Sequence, residues 1–173
     1  MAKIVGIFIS PERGQPMQAL QQVVAIAGTG LETDRYALEK GSYSFKINKR
    51  FKIEKINAVR MLRQVSLISL SALDEANTLL TQPFLPIETR RNLLIENINA
   101  SDLLSLIDKE FTVGAVRMRG VEDCAPCALP GSMVNKSGFK EAFASCGGLR
   151  AEILTSGTIA IGDEVSGSSA DAL

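Results

Sequence analysis

The apolar residues of this chain come in short runs, each stopped by glycine, proline or a serine-rich turn. That pattern favours many brief strands over long helices. Lys3 to Ser10 carries apolar side chains on both parities, as a strand covered on both faces does, and Pro11-Glu12-Arg13-Gly14 ends it. Gln22 to Ala27 reads as a second strand closed by Gly28-Thr29-Gly30. Residues 28–50, rich in glycine, serine and charge, read as one long loop, a length that in compact domains accompanies function or motion. Val65 to Ser69 is a strand; Ser71 with Asp74 resembles a capping box opening a helix to about Leu80, with Leu73, Ala76 and Leu80 on its buried stripe and Pro83 and Pro86 barring continuation. Arg90 to Ile95 looks extended, and Asn99 with Asp102 caps a short helix carrying Leu103, Leu104 and Ile107. Phe111, Val113 and Ala115 alternate on a strand that continues to Arg119, and Phe139 and Phe143 have the spacing of a small amphipathic helix. Leu149 to Leu154 and Thr158 to Val165, separated by Ser156-Gly157, read as a terminal hairpin with Ile159 and Ile161 on one side. The whole predicts a mainly β, barrel-like fold with a few short α-helices: one domain over residues 1–166 and a disordered tail at 167–173.

Bulk composition excludes several classes of function. At 173 residues and 46% apolar content the chain can build a core without disulfide staples. Nineteen basic and nineteen acidic residues cancel, which argues against a nucleic-acid footprint or a polybasic membrane patch. No stretch approaches the roughly 20 apolar residues of a bilayer span, and the first residues read as a strand rather than a signal peptide. Three cysteines cannot all pair within one chain, so free thiols in a reducing, cytoplasmic compartment are expected.

Histidine is absent, which removes imidazole as base or ligand and leaves sulfur, carboxylates and arginines to carry any chemistry. The cysteines form Cys124-Ala-Pro-Cys127, with Cys146 some twenty residues on. Two cysteines at this spacing can share a metal, form a disulfide, act as acceptor and resolver of sulfur, or be small buried hydrophobes. Structural zinc wants four Cys or His ligands, so with only Cys146 as a third it would require a carboxylate or water, and the bracketing Pro126 and Pro130 weaken a thioredoxin-like reading. Thr89-Arg90-Arg91-Asn92 is the second cluster. Two guanidiniums opening an apolar strand either bind an anion or sit at the rim paired to Glu88 or Glu96. Asp34 and Arg35 either join a site or pair with each other. Gly147-Gly148, before Arg150, either lets backbone approach a ligand or simply turns the chain.

Taken in order, these segments resemble the MOSC domain, named for the C-terminal part of molybdenum cofactor sulfurases. The resemblance is carried by Gly30-Leu31-Glu32-Thr33-Asp34-Arg35-Tyr36, Glu88-Thr89-Arg90-Arg91-Asn92-Leu93-Leu94-Ile95, Phe111-Thr112-Val113-Gly114, Glu122-Asp123-Cys124-Ala125-Pro126-Cys127, and Gly147-Gly148-Leu149-Arg150-Ala151-Glu152-Ile153-Leu154 with Gly157-Thr158-Ile159 and Gly162-Asp163. It implies a strongly bent, barrel-like sheet and a pocket for a sulfur- or molybdenum-bearing ligand. Cys127 would be the sulfur carrier or metal ligand and Cys124 its companion. Arg90, Arg91, Asn92, Arg150, Gly148, Asp34 and Arg35 would surround a molybdenum cofactor. The partners so implied are a cysteine desulfurase or other sulfur donor, or an electron-donor protein if the activity is reduction of N-hydroxylated bases; a binding module without catalysis is the third reading. The pyridoxal phosphate domain of full sulfurases has no counterpart in this sequence. Two departures stand out: Thr33 and Tyr36 replace the family's usual glycine and histidine, and Cys146 precedes Gly147-Gly148 where a small residue or arginine is more usual.

Overall fold

The computed structural model describes residues 1–38 and 63–167. Strands β1 (Ala2–Ile9), β5 (Val65–Ser69), β6 (Leu93–Glu96), β7 (Glu110–Val113), β8 (Val116–Asp123), β9 (Leu149–Ile153) and β11 (Glu164–Gly167) run in the order β11-β7-β8-β9-β5-β6-β1. Pairing of β1 with β11 closes them into a seven-stranded barrel. Closure leaves these strands without a free edge, which removes a template for aggregation. Strand β2 (Gln18–Leu20) pairs on β1, while β3 (Gln22–Ile26), β4 (Gly30–Leu31) and β10 (Gly157–Ala160) form a separate small sheet ordered β10-β3-β4. Among the described strand pairs only β5–β6 is parallel, and α1 (Leu70–Thr78) lies in its crossover.

Apolar residues on both parities have a simple cause: these strands have a barrel interior on one face and helices on the other. Leu67, Leu93 and Ile95 point into the barrel core, while Ile68 and Leu94 join an outer cluster with Leu73, Ala76, Phe84, Phe139 and Phe143. In β1 the pattern slips, since Ile4 and Ile7 both face inward although three residues apart. A bulge between Ile4 and Gly6 absorbs the extra residue and bends the strand. The outer cluster is built on α1 and on α4 (Phe139–Ala142), whose Phe139 and Phe143 rings stack 4.3 Å apart while Phe84 meets them edge-on. Helix α2 (Ala100–Leu104) is capped as its sequence suggests, Asn99 Oδ1 accepting from the Asp102 N–H at 2.8 Å.

Four local expectations are corrected. Helix α1 is capped two residues earlier than expected: Ser69, not Ser71, is the cap, its Oγ accepting from the Ala72 N–H, while Ser71 Oγ donates to the Ile98 carbonyl. Residues 86–89 form a 3-10 turn and Arg90 has φ +61°, so extension starts only at Leu93. Ala115 does not continue a strand; with Gly114 at φ +55° it makes the tight turn between β7 and β8. The terminal hairpin does not form, because β9 already has β5 on one edge and β8 on the other, leaving β10 to pair with β3 and β11 to close the barrel. Ile159 is then buried and Ile161 exposed, in different surroundings rather than on one side. Most of the predicted 28–50 loop and the predicted tail beyond Gly167 lie outside the described residues.

Candidate functional site

At one end of β5, β6 and β9 the barrel wall opens into a cavity of about 250 Å³ lined by Arg13, Arg35, Tyr36, Arg63, Ser66, Arg90, Arg91, Cys124, Ala125, Cys127, Leu129, Pro130 and Arg150. Six guanidiniums thus face one small volume with both members of the cysteine pair. Among the described residues, Asp34 and Glu122 are ion-paired to these arginines: Asp34 Oδ1 lies 3.6 Å from Arg35 Nη1, and Glu122 Oε1 lies 2.6 Å from Arg63 Nη2 and 3.5 Å from Arg150 Nε. Among the described residues two carboxylates stand against six guanidiniums, which leaves this lining strongly cationic.

The arginines differ in what they do. Arg91 is a brace. Its Nε donates to the Gly147 carbonyl at 2.6 Å, its Nη1 to Thr89 at 3.2 Å and its Nη2 to Cys124 at 3.0 Å. One planar fork therefore joins the turn before β6, the cysteine loop and the segment before β9. Among the described residues Arg90 is held by one hydrogen bond, from Nη1 to the Gln15 carbonyl at 2.7 Å. Arg35 lies over the Tyr36 ring at 4.7 Å. Its Nη1, like Arg63 Nε, is buried with no hydrogen-bond partner among the described residues. Such donors are costly to leave unmet, and both belong to residues lining the cavity.

Electrostatics sharpen the same picture. Burial, and then the neighbouring charge of Arg150, pull the Arg63 guanidinium below its ordinary pKa against the opposing effect of Glu122. Burial and Arg35 act likewise on Arg90. Burial also works against the charge on Arg150, but the Cys124 thiol, Tyr36 and Glu122 more than offset it and hold that group above its ordinary value. Crowded cations whose charge is disfavoured by one another gain most from an anion placed between them.

The two cysteines stand at different depths. Cys124 is 2% exposed, and its N–H donates to the Gly148 carbonyl at 2.7 Å. Cys127 is exposed at the cavity rim, just ahead of α3 (Leu129–Val134). Both thiols are free. Cys146 lies elsewhere, packed in the outer cluster near the Ala72 and Ala142 carbonyls, where burial and then Glu75 push its thiol pKa up. It adds no third sulfur to the cavity.

Of the residues singled out from the sequence, Cys124, Cys127, Arg35, Arg90, Arg91 and Arg150 converge on this cavity, while Asp34, Asn92 and Gly148 stand behind its wall. Asp34 is fully buried and accepts from the backbone N–H groups of Ser10 and Tyr36. Asn92 spends its amide on Ser66, Phe8 and Asp34. Gly148 sits at φ +106°, where an added Cβ would come 2.2 Å from the Leu67 carbonyl; the close approach it permits is to protein backbone, not to a ligand. The rim alternative for the arginine pair fails, since Arg90 and Arg91 are each 7% exposed and Glu88 pairs with Lys136. Arg13, Arg63 and Ser66 were not singled out beforehand. A basic residue two positions ahead of a strand buried on both faces was the only signal available for Arg63.

Comparison with known proteins agrees with the fold. The YuaD protein of Bacillus subtilis superposes with a TM-score of 0.75 at 19% identity, covering 95% of this chain and 94% of that one. YiiM from Geobacillus stearothermophilus gives 0.66 at 11% identity over 98% of this chain and 76% of its own, and YiiM from Escherichia coli gives 0.64 at 10% identity over 96% and 70%. At such identities the likeness is one of fold. A search of curated proteins finds no match. The MOSC domain family model matches residues 54–166, which include the arginine pair, the cysteine pair and Arg150. On that match, and on the bent barrel that carries it, this chain belongs to the MOSC domain family.

Proposed function

We propose that the protein binds a molybdenum centre held by its own phosphorylated pterin ligand, with Cys127 as the protein's sulfur toward the metal. The observation that carries this reading is a single exposed thiol at the rim of a cavity lined by six arginines, two of which keep a buried N–H with no hydrogen-bond partner among the described residues. The donor set suits such a group. Among the described residues no three cysteine, aspartate or glutamate side chains converge as ligands for a bare cation. One soft thiolate and a ring of guanidiniums instead fit a metal that arrives already coordinated and anionic. When bound, the group supplies a redox-active metal that exchanges oxo and sulfido ligands. The chain's own contributions are distinct: Arg35, Arg63, Arg90 and Arg150 attract and orient negative charge, Arg91 holds the cysteine loop in place, and Cys127 presents sulfur.

The same arrangement supports sulfur carriage. The Cys127 thiolate would attack the outer sulfur of a desulfurase cysteine persulfide, forming a new S–S bond while the donor leaves as thiolate. The persulfide anion so formed lies among arginines that stabilise it. To test the reading, the protein is expressed in a host that makes the cofactor, and metal content and intact mass are measured on freshly isolated material. Molybdenum, or a gain of one sulfur on Cys127 after incubation with a desulfurase and cysteine, is expected in the wild type and lost in Cys127→Ser. Metal and sulfur retained equally by that variant would remove Cys127 from the site.

A further inference from the structure

Beside the arginine cavity lies a second hollow of about 270 Å³ lined by Pro16, Met17, Ile87, Glu88, Arg90, Met133 and Val134. Its lining is apolar except for Glu88, which pairs with Lys136 at 2.6 Å and accepts from the Leu85 N–H, and Arg90, which donates from Nη1 to the Gln15 carbonyl. Three separate chain segments pass from one hollow to the other. The turn after β1 puts Arg13 in the cationic cavity and Pro16 and Met17 in the apolar one. The turn before β6 puts Ile87 in the apolar hollow, Arg91 in the cationic cavity and Arg90 in both. Helix α3 puts Leu129 and Pro130 in the first and Met133 and Val134 in the second. Three shared walls and one shared side chain make these two compartments of one cleft, divided at Arg90.

Resting on the anion-binding reading above, we infer that the cleft takes an amphipathic small molecule. Its anionic or strongly polar end lies among the arginines beside Cys127, and its apolar or aromatic arm lies past Arg90 on Met17, Ile87 and Met133. Apolar hollows on the order of 150 Å³ are large enough for a benzene ring, so the second compartment has room for one. Methionines at two of its walls suit ring-shaped or irregular groups, because the unbranched thioether adapts its shape and packs well on aromatic edges. The placement of a few charges beside an apolar wall is also the usual composition of a small-molecule site. Met133 and Ile87 would thus set specificity without touching the reacting sulfur.

Calorimetric titration with inorganic phosphate, methyl phosphate and phenyl phosphate separates the two compartments. All three probes should bind competitively, and phenyl phosphate should bind roughly tenfold more tightly than methyl phosphate, as expected for a ring moved from water to an apolar wall. Met133→Gln, which keeps the length of the side chain, should abolish that preference and leave inorganic phosphate unchanged; Ile87→Asn should do the same, and phosphate binding in each variant reports that it is folded. Equal affinity for the methyl and phenyl esters, or a preference that survives both substitutions, would overturn the inference while leaving the anion site intact. Failure of every phosphate to bind would overturn the anion-binding reading itself, and the inference with it.

Discussion

Arg91 shows how one side chain can look like a ligand group and act as a brace. Paired arginines ahead of an apolar strand invite an anion, yet the donors of Arg91 go to three backbone carbonyls, and it is Arg90, Arg35 and Arg63 that have capacity left. A lysine at position 91 would keep the charge and lose the planar fork, so it cannot hold three carbonyls together. Arg91→Lys is therefore expected to loosen the cysteine loop and raise the alkylation rate of buried Cys124 about tenfold, read site by site by mass spectrometry, an opening cost of roughly 1.4 kcal/mol. An unchanged rate would show that the loop is held by other contacts. Gly148 makes the complementary case: its positive φ and the carbonyl of Leu67 both exclude a side chain. Gly148→Ala should lose roughly 2–5 kcal/mol in urea denaturation, combining backbone strain with overpacking. Neither role is legible from sequence spacing, since each depends on an atom far away along the chain.

At the level of elements, the β7–β8 hairpin carries an exposed charge ladder. Glu110 accepts from Arg117 at 2.6 Å and from Arg119 at 2.9 Å, and Arg119 reaches on to Glu152 of β9 at 3.1 Å. Hydrogen bonds from Arg117 and then Arg119 hold the Glu110 carboxyl below its ordinary pKa. A carboxylate depressed on folding stabilises the protein above its unfolded pKa, and that contribution fades as pH falls through the folded value. Glu110→Gln should accordingly lower stability slightly at neutral pH, converge with wild type in acid, and show a difference that shrinks with salt because the network is solvent-exposed. Thermal unfolding across pH at two ionic strengths checks all three. The elements themselves were partly readable: β5, α2 and α4 follow from local pattern and capping. The β7–β8 turn was missed because alternation continues across Gly114 and Ala115. The terminal hairpin was wrongly expected because pairing is decided by which edges are free.

For the whole molecule, closure is the organising event. Strand β11 pairs with β7 on one side and β1 on the other, so the last strand seals the barrel against the first. Ending the chain after Gly162 would strip both partners and expose two strand edges. The expected result is loss of a cooperative urea transition and a tendency to aggregate, measured by circular dichroism and light scattering; a cooperative unfolding curve from that fragment would show that the barrel does not need its seal. The cleft depends on the same closure, since its walls come from the turn after β1, the turn before β6, the cysteine loop after β8 and the start of β9.

Sequence alone determined that this would be a mainly β molecule with short helices, that it carries motifs in the MOSC order, and that it holds no imidazole while its cysteines and arginines fall in clusters. Those conclusions rest on local pattern, composition and motif order, which the chain carries regardless of its folding. Tertiary structure alone decided which arginines face the cavity and which are consumed by backbone, which thiol is reachable, and that an apolar compartment adjoins the cationic one. Burial and the deciding hydrogen-bond partners include contacts between segments far apart along the chain, such as Arg91 with Gly147 or Arg90 with Gln15. No window along the chain contains both ends of such a contact.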